Sequence, residues 1–69
     1  MEMKPVKSSN ITHVGYDAAA KEMHVTFSSG QTYGYAGIEP EHHENFVNAD
    51  SLGIHFAKHI RNNFTGKVV

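Results

Sequence analysis

Two tyrosines, two cations and two histidines are the residues of this 69-residue chain whose types and spacing bear on chemistry. Tyr33 and Tyr35 flank one glycine, so in a strand both rings project from one face. Exposed, such a pair is a stacking platform for unpaired bases, at ~1–3 kcal/mol per base. Buried, the same rings fill a small core with their hydroxyls at its rim, and the shortness of the chain favours the core. Lys58 and Arg61 fall on the polar side of a helical stretch. With Lys67, Lys4 and Lys7 they would supply a phosphate-contacting patch; the plainer reading is a solvated helix face with cations near its C-terminus. His55 and His59, at i and i+4, are half of a metal site. They lack the intervening glutamate of HExxH, and a third ligand would have to come from His42 or His43 across a helix contact, so no metal is assigned.

Catalytic constellations are poor. There is no cysteine nucleophile. Ser8, Ser9, Ser28, Ser29 and Ser51 stand where a leader, a turn and a helix cap need serine. Asp17 has His13 and His24 as neighbours in the pattern but no nucleophile to join them. Gly34-Tyr35-Ala36-Gly37 has neither the spacing nor the lysine of a phosphate-cradling loop. The expectation is a non-enzymatic domain with no catalytic residue and no cofactor.

Six Lys and Arg against seven Asp and Glu give a formal net charge of −1. That argues against a strongly electrostatic nucleic-acid binder while leaving room for a local basic patch. Six histidines add positive charge in mild acid. Without cysteine, neither a disulfide nor a thiolate zinc site supplements the core. A hydrophobic fraction of 39% with seven Phe and Tyr supports one compact but marginal domain, which dimerisation would help. The opening MEMKPVKSSN is polar, and no apolar run approaches the ~20 residues of a membrane helix. Cytoplasmic residence without a membrane partner is expected. The two glycosylation-like tripeptides, at Asn10 and Asn63, read as accidental.

The elements that must position these residues follow from periodicity. Residues 10–17 alternate as a first strand, with Thr12, Val14 and Tyr16 on one side and Ile11, His13 and Gly15 on the other. Residues 18–22 connect, and 23–28 form a second strand with Met23, Val25 and Phe27 on one face. Setting Asp17 against Glu22 brings Tyr16 opposite Met23, Val14 opposite Val25 and Thr12 opposite Phe27, one consistent apolar face. Residues 31–36 are the third strand. A two-residue Ser29-Gly30 loop would put Tyr33 and Tyr35 on the His24 and Thr26 face. A three-residue loop bulged at Gly30 would put them with Val25 and Met23, and glycine at the third turn position suits that form. Pro40 opens a helix reaching Asn48. Ser51 caps a second helix over 52–63, with Leu52, Phe56, Ile60 and Phe64 recurring at i+4. Residues 1–9 read as a loose leader and 65–69 as a tail. The fold class is α+β: a three-stranded antiparallel β-meander followed by two α-helices packed on one sheet face.

Taken in order, SSNI (8–11), VGYD (14–17), VTFSSG (25–30), YGY (33–35), ADSLG (49–53) and Phe56 with Ile60-Arg61 resemble the KTSC domain. This short module occurs alone in bacterial and phage proteins and at the C-terminus of some lysyl-tRNA synthetases. The resemblance spans about Val6 to Phe64. The synthetase fusion implies RNA binding, by association. Ile38-Glu39 replaces the family's Val-Pro, His43 and His55 stand where an aromatic is usual, and Ala57 where asparagine is usual. His55 and Ala57 therefore weaken any transfer to the second helix, whereas Arg61 and the two tyrosines match. The chain thus reads as a small interaction domain that binds RNA or single-stranded nucleic acid through Tyr33, Tyr35, Lys58 and Arg61. The alternative is a protein-docking module, phage or accessory, using Ile54 with Val47 or Leu52. A histidine metal or pH-responsive site ranks well behind both.

Overall fold

The computed structural model describes all residues, Met1–Val69. Two long alternating strands, β2 (Ile11–Asp17) and β3 (Glu22–Phe27), pair through a turn held by Asp17, whose Oδ1 accepts from the amides of Ala19 and Ala20 at 3.0 and 3.3 Å. The register runs as expected through Asp17 opposite Glu22, Tyr16 opposite Met23 and Val14 opposite Val25. It then slips: Ile11, not Thr12, opposes Phe27, because a bulge at Thr12 inserts one residue. The Thr12 hydroxyl donates to the Thr26 carbonyl at 3.3 Å across that irregularity. The bulge turns Ile11 onto the apolar face, where it is 1% exposed, although strict alternation assigned it to the opposite one.

The β3–β4 connection takes the three-residue form. Phe27 N donates to Gln31 O at 2.8 Å, Gly30 N to Phe27 O at 2.9 Å, and Gly30 has φ +97°. Strand β4 (Thr32–Ala36) therefore sets Tyr33 opposite Val25 and Tyr35 opposite Met23.

The sheet has five strands, not three. Residues assigned to a leader form β1 (Met3–Pro5) on β2, and residues assigned to a tail form β5 (Gly66–Val68) on β4, giving the antiparallel order β1-β2-β3-β4-β5. Three-residue strands are too short to carry a period-2 signal of their own. They form because β2 and β4 would otherwise present unpaired amides and carbonyls along their outer edges. Pro5 is tolerated because it lies on an edge strand.

Helix α1 (Pro40–Val47) starts with proline in its first turn, and α2 (Leu52–His55) continues as a π-helical turn over Phe56–Ile60. Both close one face of the sheet. Phe46, Met23, Val25, Ile38 and Ile60 are fully enclosed there. No helix is long and apolar enough to cross a membrane.

Strand β5 approaches β4 closely enough that a Cβ on Gly66 would lie 2.6–2.8 Å from the Tyr35 ring and hydroxyl. Gly66→Ala is expected to cost about 1–3 kcal/mol in urea denaturation. Hydrogen-exchange protection should fall at the Lys67 and Val69 amides, the latter donating to Thr32 O at 3.0 Å, more than in β2 and β3; equal protection in variant and parent would contradict this packing.

Candidate functional site

Ser51, extended at φ −128° and ψ 109°, starts α2 by accepting from the Ile54 amide at 3.4 Å. Past His55 the helix widens, and Arg61 N donates to Phe56 O at 2.8 Å. Leu52, Phe56 and Ile60 point into the core. The other side of the same helix, with Gly53, Ala57, Lys58 and Arg61, faces the segment before β2 and the β3–β4 turn.

Three clefts lie along this side. The first, of about 590 Å³, runs between Lys7–Asn10 and the α2 start, with Ala57 and Lys58 on its helical wall. The second, of about 410 Å³, shares Asn10, Gly53 and Ala57 with the first and adds Ser28, Ser29 and Arg61. The third, of about 320 Å³, shares Phe27, Phe56 and Arg61 with the second and ends at Tyr33, Tyr35, Phe64 and Gly66. Shared walls make them one groove, polar at one end and aromatic at the other.

Tyr33, Tyr35 and Arg61 thus meet in the third cleft, while Lys58 stands at the far end of the groove. Tyr35 is 5% exposed and meets Phe56 edge to face at 5.5 Å and 77°, so its ring is architecture and is not free to stack on a base. Burial pushes its hydroxyl pKa up, the neighbouring Tyr33 adds to this, and the Arg61 charge opposes it. Tyr33 is half-buried, edge to face with Phe27 at 5.7 Å, and its hydroxyl donates to Gln31 Oε1 at 3.2 Å. Lys7 joins the groove. Lys4 lies instead beside Tyr16 and His43, and Lys67 pairs with Gly34 on β5, so neither lines it.

The groove also uses residues that local reasoning assigned to other tasks. Ser8 does serve its own segment, accepting from Asn10 N at 3.3 Å, yet it lines the first cleft with Ser9 and Asn10. Ser28 and Ser29 lie in the bulged loop and line the second. The available signal was that SSN, SSG and DSLG are short polar motifs far apart in sequence; folding brings them to one place.

The histidines lie elsewhere. His55 and His59 have ring centroids 4.4 Å apart and tilted by 38°, and no third metal-binding side chain gathers with them. Burial holds His55 below the ordinary histidine range, and the nearby His59 and His42 act in the same direction. His43 stacks flat on Tyr16, 4.3 Å between centroids and 6° between planes, and the Tyr16 hydroxyl donates to Ile38 O at 2.6 Å. Burial also lowers His43, with Glu44 opposing and Lys4 assisting.

A model of the KTSC domain family matches residues 7–64. This chain belongs to the KTSC domain family. This KTSC domain superposes on the crystal structure of a KTSC domain protein from Yersinia pestis with a TM-score of 0.92 at 33% identity, covering 99% of this chain and 96% of the other. It is 39% identical over 56 residues to an uncharacterized protein of Stutzerimonas stutzeri, covering 81% of this chain and 79% of that one. It is likewise 39% identical over 51 residues to a protein of Tsukamurella paurometabola, with 74% and 76% covered.

Because the folded KTSC domain favours neutral His43 and His55, the unfolded chain takes protons first as pH falls. Their contribution is complete above the ordinary value of 6.5 and is lost as pH drops through their lower folded midpoints. The thermal midpoint should therefore fall as pH drops below about 6.5. The His43 ring should titrate below 6.5 by NMR; a His43 midpoint above 6.5 would reverse the sign.

Proposed function

We propose that this KTSC domain is a non-enzymatic binding module that holds a single-stranded nucleic acid, RNA in the first instance, along the groove beside α2. The observation that carries the reading is charge segregation. Of six Lys and Arg in the chain, Lys7, Lys58 and Arg61 line the groove; of seven acids, only Asp50 does. A chain of net charge −1 thus gathers positive charge along one cleft and leaves six of its seven acids elsewhere, Glu39, Glu41 and Glu44 around α1 among them. Backbone phosphates suit that pattern, with serine and asparagine groups between the cations as further donors. The groove lies within one chain, so the reading needs no dimer. Its residues include no activated nucleophile, which favours binding over catalysis.

A protein-docking reading has one observation of its own: Ile54 is 59% exposed at the edge of the first cleft. A single exposed isoleucine is ordinary, and it ranks second.

Fluorescence anisotropy with tRNA and with short labelled single-stranded oligonucleotides at two salt concentrations tests the proposal. Binding is expected at low salt and should weaken with added salt. Lys58→Ala and Arg61→Ala should each lower affinity for all sequences and reduce the salt slope by about 0.7 for every phosphate that is no longer neutralised. Absence of binding at low salt would end the nucleic-acid reading. A pull-down whose partner survives nuclease treatment would favour the docking reading.

A further inference from the structure

The two ends of the groove differ in chemistry, and the difference identifies what the aromatic end takes. Resting on the groove reading, we infer that the third cleft holds a single unpaired nucleobase of the bound strand, with the Arg61 guanidinium over or beside its plane. At about 320 Å³ the cleft is of small-molecule size. Phe27, Tyr33 and Phe64, all half-buried, present ring surface to it without closing it. Gly66 packs against Tyr35 at the closed end of the cleft, where any side chain would collide with that ring.

The occupant is argued from charge and continuity. Arg61 is exposed and belongs to both the middle and the aromatic clefts, and neither cleft has an acidic wall residue to neutralise it. An apolar peptide side chain would fill the rings and leave that guanidinium without a counter-charge. A nucleotide satisfies both: its phosphate lies in the middle cleft towards Arg61 and the serines, and its base enters the aromatic cleft. There ring contacts and the cation–π contribution of arginine operate on any base. The phenol of Tyr33 and the hydroxyl of Tyr35, which has no hydrogen-bond partner within the chain, stand at the same cleft as polar groups for the base edge. A base in a duplex is paired and stacked and would have to be flipped out to enter, so the cleft favours single strands over duplex.

The test compares a short labelled oligouridylate with a ribose-phosphate oligomer of equal length that lacks bases, by anisotropy and by NMR of the Tyr33, Phe64 and Arg61 side chains. The base-bearing strand should bind about tenfold more tightly or better and move those three sets of signals, while the abasic strand should move mainly Lys7 and Lys58. Arg61→Lys keeps the charge and loses the planar group. It should weaken the base-bearing strand and leave the abasic one nearly unchanged. Equal affinity for the two strands would overturn the base cleft and leave the groove reading standing. Failure of both to bind would overturn the groove reading and the cleft with it. An uncharged tryptophan peptide that moves the same ring signals as strongly as the oligouridylate would overturn the inference in favour of a peptide occupant.

Discussion

The parity of one hairpin governs this fold. Side chains alternate across a strand, so a loop of two residues or three decides which face a whole strand presents. Gly30, at φ +97°, makes the longer loop possible, and Tyr33 and Tyr35 join Val25 and Met23 on the covered side. A second parity device, the bulge at Thr12, recovers Ile11 for that same side at the far end of β2. Without these two irregularities the apolar set would split between faces. A chain of 69 residues has no surplus of large side chains to compensate.

The hairpin, the two helix starts and the inner register were legible because each rests on a local cue: alternating Met23, Val25 and Phe27, a glycine placed for positive φ, Pro40, and Ser51 as a cap. The edge strands were not. Met3–Pro5 and Gly66–Val68 are strands through the hydrogen-bonding needs of their neighbours, which no window of three residues expresses. The Thr12 bulge was hidden for a related reason, since strict alternation gives an equally tidy pattern with the wrong residue facing inwards. Of the candidate site, Arg61 and Lys58 were legible as polar-face cations. Tyr35 was ambiguous until the loop length was known. The serine and asparagine walls of the groove could not be read, because each residue also has a sufficient local reason to be where it is.

That double use follows from size. In a domain this small, a turn, a cap and a segment preceding a strand are also the only material from which a concave surface can be built. Ser51 caps α2 and lines the first cleft, and Ser28 and Ser29 make the bulged loop and line the second. The chemistry of the groove is largely the chemistry of chain reversal, with three cations added to it.

The π-turn at Phe56–Ile60 ties the inner and outer surfaces together. In an α-helix, side chains four residues apart drift by about 40° around the axis. A seam of Leu52, Phe56 and Ile60 at that spacing would therefore wind off the sheet. A wider turn rotates less per residue, and placing one directly after an α-turn reverses the drift and returns Ile60 towards the azimuth of Leu52. The same change of pitch sets the azimuth of Lys58 and Arg61 on the outer side. Removing one residue here would restore ordinary helical pitch and displace both the seam and the basic rim in a single step. For this helix, inner packing and outer charge placement are one geometrical variable.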